Sequence, residues 1–333
     1  MRAVGDDIDR VGEETSFSGV VRIEQGGKVL TRAYGHARRD LAIEMTVGHQ
    51  IRIASGTKGW TALVVASLVE GGELELATTA RSLLGGDLPL VADDVTVEHL
   101  LAHRSGIGDY VDEEQVQDVT DHIMPVSVHE LDTTEAYLRV LDGHATKRPA
   151  GERFSYCNSG YVVLALLCER ATCVAFHELV DARVCRPAGM TGTAFLRSDE
   201  LPGRAAVGYL AADGVRTNVF HLPVVGSGDG GLHTTAEDVH ALWHALFAGR
   251  IVSTAWVERL VRPHSEAPEE GARYGLGFWL HAERDRVSLI GGDAGASFRT
   301  VHDREEQLTH TVLSNTSKGA WPVTRLLDEL LLG

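Results

Sequence analysis

Strand-type patterns sit at both ends of this chain and helix-type patterns fill its middle. That ordering constrains the fold more than any single motif. Gly19-Val-Val-Arg-Ile-Glu24 and Lys28-Val-Leu-Thr-Arg-Ala-Tyr34 flank Gln25-Gly26-Gly27, which reads as a hairpin. Strand candidates return only near the other end, at Tyr274–His281, Val287–Ile290, Ser297–His302 and Leu308–Leu313. Between them, Lys58–Val69 reads as a helix, with Trp60, Leu63, Val64 and Leu68 on one stripe and Gly71-Gly72 as its stop. Ser159–Cys173 and Ala236–Ala248 are further helix candidates, the second capped by Thr234 or Thr235 and stopped by Gly249. Thr96–His103 reads as a short helix, and Trp321–Leu332 as a closing one. Strands grouped at the ends, not alternating with helices, predict an α+β fold: an antiparallel sheet from both chain ends, with a mostly helical insert. The expected division is residues 1–50 and 250–333 for the sheet part and 51–249 for the helical part, with a cleft between them.

Composition narrows the functional classes. The 333 residues are 44% hydrophobic and 23% charged, enough for a large core. A formal net charge of −16 without a basic cluster argues against nucleic acid and anionic membranes as partners. Met1–Ile8 has no apolar leader core, and no run of about 20 apolar residues occurs, so the expectation is a cytoplasmic chain. The four cysteines, Cys157, Cys168, Cys173 and Cys185, form no C-x-x-C pair. Cys168 and Cys173 are expected to be reduced and buried. None of the sixteen histidines falls in an H-E-x-x-H, so neither metal nor cofactor is expected.

Ser55-Gly-Thr-Lys58 is the one Ser-x-x-Lys of the chain. Residues three apart share a helix face, so the Lys58 amine would stand beside the Ser55 hydroxyl. A serine needs such a neighbouring base to become a nucleophile, and a lysine serves when burial lowers its pKa. The motif alone is weak, because about one arises by chance in a chain this long and Ser before a helix is commonly a cap. Phe154-Ser-Tyr-Cys-Asn-Ser-Gly160 adds a second constellation where a loop enters a helix. There Tyr156 could move a proton and Asn158 could hold a carbonyl. His103, at the end of its short helix, reads as a packing or hydrogen-bonding residue. Tyr110 is a candidate for the cleft lining. Asp229-Gly230-Gly231 reads as a tight turn and not as a phosphate loop.

In order, Ser55-x-x-Lys58, His99-Leu-Leu-Ala-His-Arg-Ser-Gly-Ile107, Pro149-Ala-Gly-Glu-Arg-Phe-Ser-Tyr-Cys-Asn-Ser-Gly-Tyr161 and Gly230-Gly-Leu-His-Thr-Thr-Ala-Glu-Asp238 resemble the penicillin-recognising serine hydrolases. The likeness is to the branch holding class C β-lactamases, D-Ala-D-Ala carboxypeptidases and family VIII esterases. It implies a β-lactamase/DD-peptidase-like fold. Ser55 would be the acylated nucleophile, and Lys58 and Tyr156 the acid–base pair. Asn158 would bind the acyl-side carbonyl. An oxyanion hole would form from the Ser55 N–H and an N–H between Gly292 and Phe298. Gly292 and Asp293 are expected at the substrate. The third family motif, Lys-Thr-Gly or His-x-Gly, is altered here. In Leu289-Ile-Gly-Gly-Asp-Ala-Gly-Ala-Ser-Phe298, Ile290 or Leu289 takes the cationic position. Losing a charged hydrogen bond there would weaken carboxylate recognition by about 1–3 kcal/mol unless Arg299 or another base substitutes. The expected function is therefore hydrolysis of a small ester, amide or β-lactam, with neutral esters and amides ahead of β-lactams. The alternative is a binding or scaffold protein on the same fold, with its chemistry reduced by the altered motif.

Overall fold

The computed structural model describes residues 2–113 and 118–332. Eight strands form one antiparallel sheet: β1 (Gly19–Gln25), β2 (Lys28–Tyr34), β3 (Ser265–Ala267), β4 (Ala272–Tyr274), β5 (Trp279–His281), β6 (Arg286–Asp293), β7 (Ala296–Asp303) and β8 (Leu308–Ser314). Their spatial order is β2-β1-β8-β7-β6-β5-β4-β3. The two chain ends meet where β1 pairs with β8, from Gly19 opposite Ser314 to Gln25 opposite Leu308. The fold is α+β, as the strand distribution predicts.

Each face of the sheet carries its own apolar layer. Alternation along β8 sends Leu308 and Val312 to one face and Leu313 to the other. The first face packs against α1 (Arg2–Glu14) and α5 (Ala320–Leu327), burying Ile8, Ile23, Val323 and Leu327. The second faces the helical segment and includes α2 (Lys58–Gly71), α3 (Asn158–Thr172) and α4 (Ala236–Phe247). The predicted stripe on α2 is wider than expected. Val65, Ala62 and Ala66 are buried as well, because α2 is enclosed by its neighbours on all sides.

Two expectations are corrected. Tyr274–His281 is not one strand. It is β4, a turn and β5, paired with each other through Trp279 opposite Tyr274. Gly277 breaks the run at φ +92°, a conformation that disfavours side chains. Cys173 is exposed, not buried, because it caps the end of α3 in the left-handed region at φ +58°. Among the described residues no single helix is long and apolar enough to cross a membrane.

Candidate active site

A short 3-10 turn, Ala54–Thr57, leads directly into α2 and carries Ser55 one turn ahead of Lys58. This turn lies hard against β6 and β7. A Cβ on Gly56 would stand 2.5 Å from the Phe298 ring. One on Gly291 would meet the Ile53 carbonyl at 2.1 Å and the Ser55 nitrogen at 2.9 Å. Only glycine permits this approach, which fixes the Ser55 backbone beside the strand.

Lys58 is 2% exposed and its amine is surrounded by acceptors. Nζ donates to Ser55 Oγ at 2.9 Å, to Asn158 Oδ1 at 2.8 Å and to the Asp229 carbonyl at 2.8 Å. Burial pulls its pKa below the usual lysine range, and nearby Asp229, Glu113 and Asp109 oppose that shift. The Tyr156 ring lies 4.9 Å from the ammonium and stacks on Trp279. Burial pushes its phenol well above the ordinary tyrosine value, while a hydrogen-bonding interaction with Ser55 works the other way. Tyr156 and Asn158 are presented by the entry to α3. There the Asp109 carboxylate accepts from the Asn158 N–H at 2.7 Å and the Ser159 N–H at 2.8 Å, serving as a remote cap. His103 has φ +53° and is fully buried; its Nδ1 accepts from the Cys157 N–H at 3.1 Å, a structural role.

Ser55 and Tyr156 open onto a cavity of about 930 Å³ that also touches Trp279, Ile290, Gly292 and Trp321. Lys58 and Asn158 sit behind its wall. Because β5 is short and pairs only with Val287 and Ser288, the end of β6 beyond it has a free edge. The β6–β7 hairpin closes at Asp293 opposite Ala296. Alternation from that closing pair turns the N–H groups of Asp293 and Gly291 to β7 and that of Gly292 to the free edge. The same alternation resolves the altered motif. Leu289 shares the face of Gly291 and packs on Gly59 of α2, whereas Ile290 points to the other face, opposite Arg299. The side chain directed at α2 is thus Leu289. Arg299 is engaged by Asp328 and does not line this cavity.

The remaining expected residues divide. Gly292 lines the cavity, whereas Asp293 lies at the hairpin end outside that lining. The Asp293 carboxylate accepts from the Ala294 N–H, and burial raises its pKa to about 6. Tyr110 is likewise outside that lining and donates its hydroxyl to Asp229 at 2.5 Å. Three participants escaped the sequence reading. Asp229 was legible only as a turn residue. Asp109 and Glu113 carry no local signal, since their partner Asn158 is more than forty positions away.

A family model, Beta-lactamase, matches residues 6–332. The chain belongs to the beta-lactamase family. Among similar members, penicillin-binding protein 4* of Bacillus subtilis is 26% identical, over 92% of this chain and 70% of that protein. Esterase EstB of Burkholderia gladioli is 30% identical, over 70% of this chain and 66% of the esterase. A penicillin binding protein from Bacillus halodurans has the same fold, with a TM-score of 0.91 at 31% identity, covering 97% of this chain and all of that one. The relatives of this beta-lactamase-family chain thus include both a penicillin-binding protein and an esterase.

Proposed function

We propose that this protein hydrolyses a small ester or amide through an acyl-enzyme on Ser55. The observation that carries the reading is the 2.9 Å contact between Ser55 Oγ and the buried Lys58 amine. Burial favours the neutral amine, which can accept the Ser55 proton. The phenol of Tyr156 is biased the opposite way, toward holding its proton. Lys58 is accordingly the acylation base, and Tyr156 the donor to the leaving group.

In acylation, Ser55 Oγ bonds to the substrate carbonyl carbon and its proton passes to Lys58. The N–H groups of Ser55 and Gly292 hold the oxyanion. As the tetrahedral intermediate collapses, Tyr156 protonates the departing oxygen or nitrogen and is reprotonated from Lys58. Water then adds to the acyl-enzyme, gives a proton to the Lys58–Tyr156 pair, and Ser55 leaves with a proton returned. The Leu289 position ranks substrates: no cation there meets a carboxylate, so neutral esters and amides come ahead of β-lactams. Hydrolysis of p-nitrophenyl acetate and of a chromogenic cephalosporin, by wild type and Ser55→Ala, tests this. Ester turnover that exceeds cephalosporin turnover and falls at least about a thousandfold in the variant is expected. Equal ester turnover in Ser55→Ala contradicts the reading.

A further inference from the structure

His103 holds the chain on both sides of Tyr156. Its carbonyl accepts from the Ser155 N–H at 2.8 Å, and its Nδ1 accepts from the Cys157 N–H at 3.1 Å. Its ring lies against the Tyr156 ring, with centroids 4.4 Å apart. Trp279, which lines the Ser55 cavity, stacks on the same phenol. Tyr156 is thus held at the residue before it, at the residue after it and on its own ring.

This grip is kept at a cost. His103 has φ +53°, a region where a residue with a Cβ is strained. Its ring is fully buried, and burial together with the Lys58 charge keeps it neutral. With Nδ1 accepting, the one ring proton sits on Nε2. Nε2 has no hydrogen-bond partner among the described residues, and a buried N–H in that condition is destabilising. An apolar ring would avoid that cost. What the imidazole adds is the acceptor for the Cys157 N–H, on the peptide that joins Tyr156 to Cys157. Strain and unpaired polar groups of this kind gather where a reacting group must be placed. Resting on the acyl-enzyme reading, in which Tyr156 protonates the leaving group, we propose that His103 is a positioning residue for that proton transfer. Its Nδ1 fixes the peptide after Tyr156 and so sets the approach of the phenol to Ser55. His103 is outside the cavity lining and acts only through Tyr156.

The test compares two esters of nearly the same shape, phenyl acetate and p-nitrophenyl acetate. Phenolate is the more basic leaving group and needs the proton more. The ratio kcat/KM, which reports acylation, is measured on both for wild type, His103→Phe, His103→Asn and Tyr156→Phe. Phe keeps a ring and loses the acceptor, whereas Asn keeps an acceptor and tolerates the left-handed backbone. His103→Phe is expected to lose about 10- to 100-fold on phenyl acetate and less than about threefold on p-nitrophenyl acetate. His103→Asn should stay within about threefold of wild type on both. Adding His103→Phe to Tyr156→Phe should cost little more, because the two residues act as a unit. Circular dichroism and Tm check folding, and His103→Leu makes the same test if His103→Phe does not fold. Equal losses on the two esters, a loss in His103→Asn as large as that in His103→Phe, or additive losses in the double variant overturn the proposal. Selective loss on phenyl acetate in Tyr156→Phe but not in His103→Phe sinks this proposal alone. No selective loss in Tyr156→Phe sinks the leaving-group role beneath it.

Discussion

Lys58 and His310 occupy opposite faces of the same sheet, and both are buried bases held toward their neutral forms. Lys58 lies on the helical side, touches three acceptors and backs a large cavity. His310 lies on the side of α1 and α5, and neither ring nitrogen has a hydrogen-bond partner among the described residues. Desolvation lowers both pKa values, that of His310 to about 3. The difference teaches that burial perturbs a base without making it catalytic. Function needs an acceptor geometry aimed at a reacting atom and a space in which that atom can meet substrate.

The largest effect should come from deleting one base and then the other. Lys58→Met is expected to lower kcat by about 10²- to 10⁴-fold while the protein still folds. His310→Leu should leave ester hydrolysis near wild type and hold or raise Tm, because it removes a buried polar group without partners. Equal losses of activity in both variants would break the comparison.

Next in size are two neighbouring glycines. Gly291→Ala forces a Cβ against the Ile53 and Ser55 backbone, so β6 must retreat from Ser55. A displacement of that kind is expected to cost about a hundredfold in kcat/KM. Gly292→Ala meets only the Trp321 ring, at 3.2 Å, and should cost far less. Steady-state kinetics of both variants decide whether the strand's contact with Ser55 is specific to one position.

The smallest effect is on stability against pH. His310 and His233 are buried, and each has a folded pKa of about 3, below the ordinary 6.5 of the unfolded chain. Between these values the unfolded state binds more protons, so stability rises with pH across this window and is complete above about 6.5. On acidification each group removes at most about 1.4 kcal/mol per pH unit. Urea unfolding from pH 7 to pH 5 should show this loss, and His310→Leu should flatten it. An unchanged slope would place the titration elsewhere.

Local spacing made half of the site readable. Ser55 and Lys58 are three apart, and Tyr156 and Asn158 flank one helix entry, so their chemistry could be argued without coordinates. The hairpin at Gly26-Gly27 and the Thr235 cap on α4 were legible for the same reason. Asp229, Asp109 and Glu113 were not, since each acts through a tertiary contact across a long sequence gap. The motif side chain stayed ambiguous between Leu289 and Ile290 until the sheet register separated the two faces. Helix α1 was missed because its buried face is sparse, with Gly5, Ile8 and Gly12 against the sheet.

The central claim is that Lys58 activates Ser55. Intact-protein mass after incubation with a fluorophosphonate tests it most directly, in wild type, Ser55→Ala and Lys58→Met. One adduct on wild type, none on Ser55→Ala and markedly slowed labelling of Lys58→Met is the predicted result. An unlabelled wild type, or labelling that persists undiminished without Ser55 or without Lys58, would contradict it.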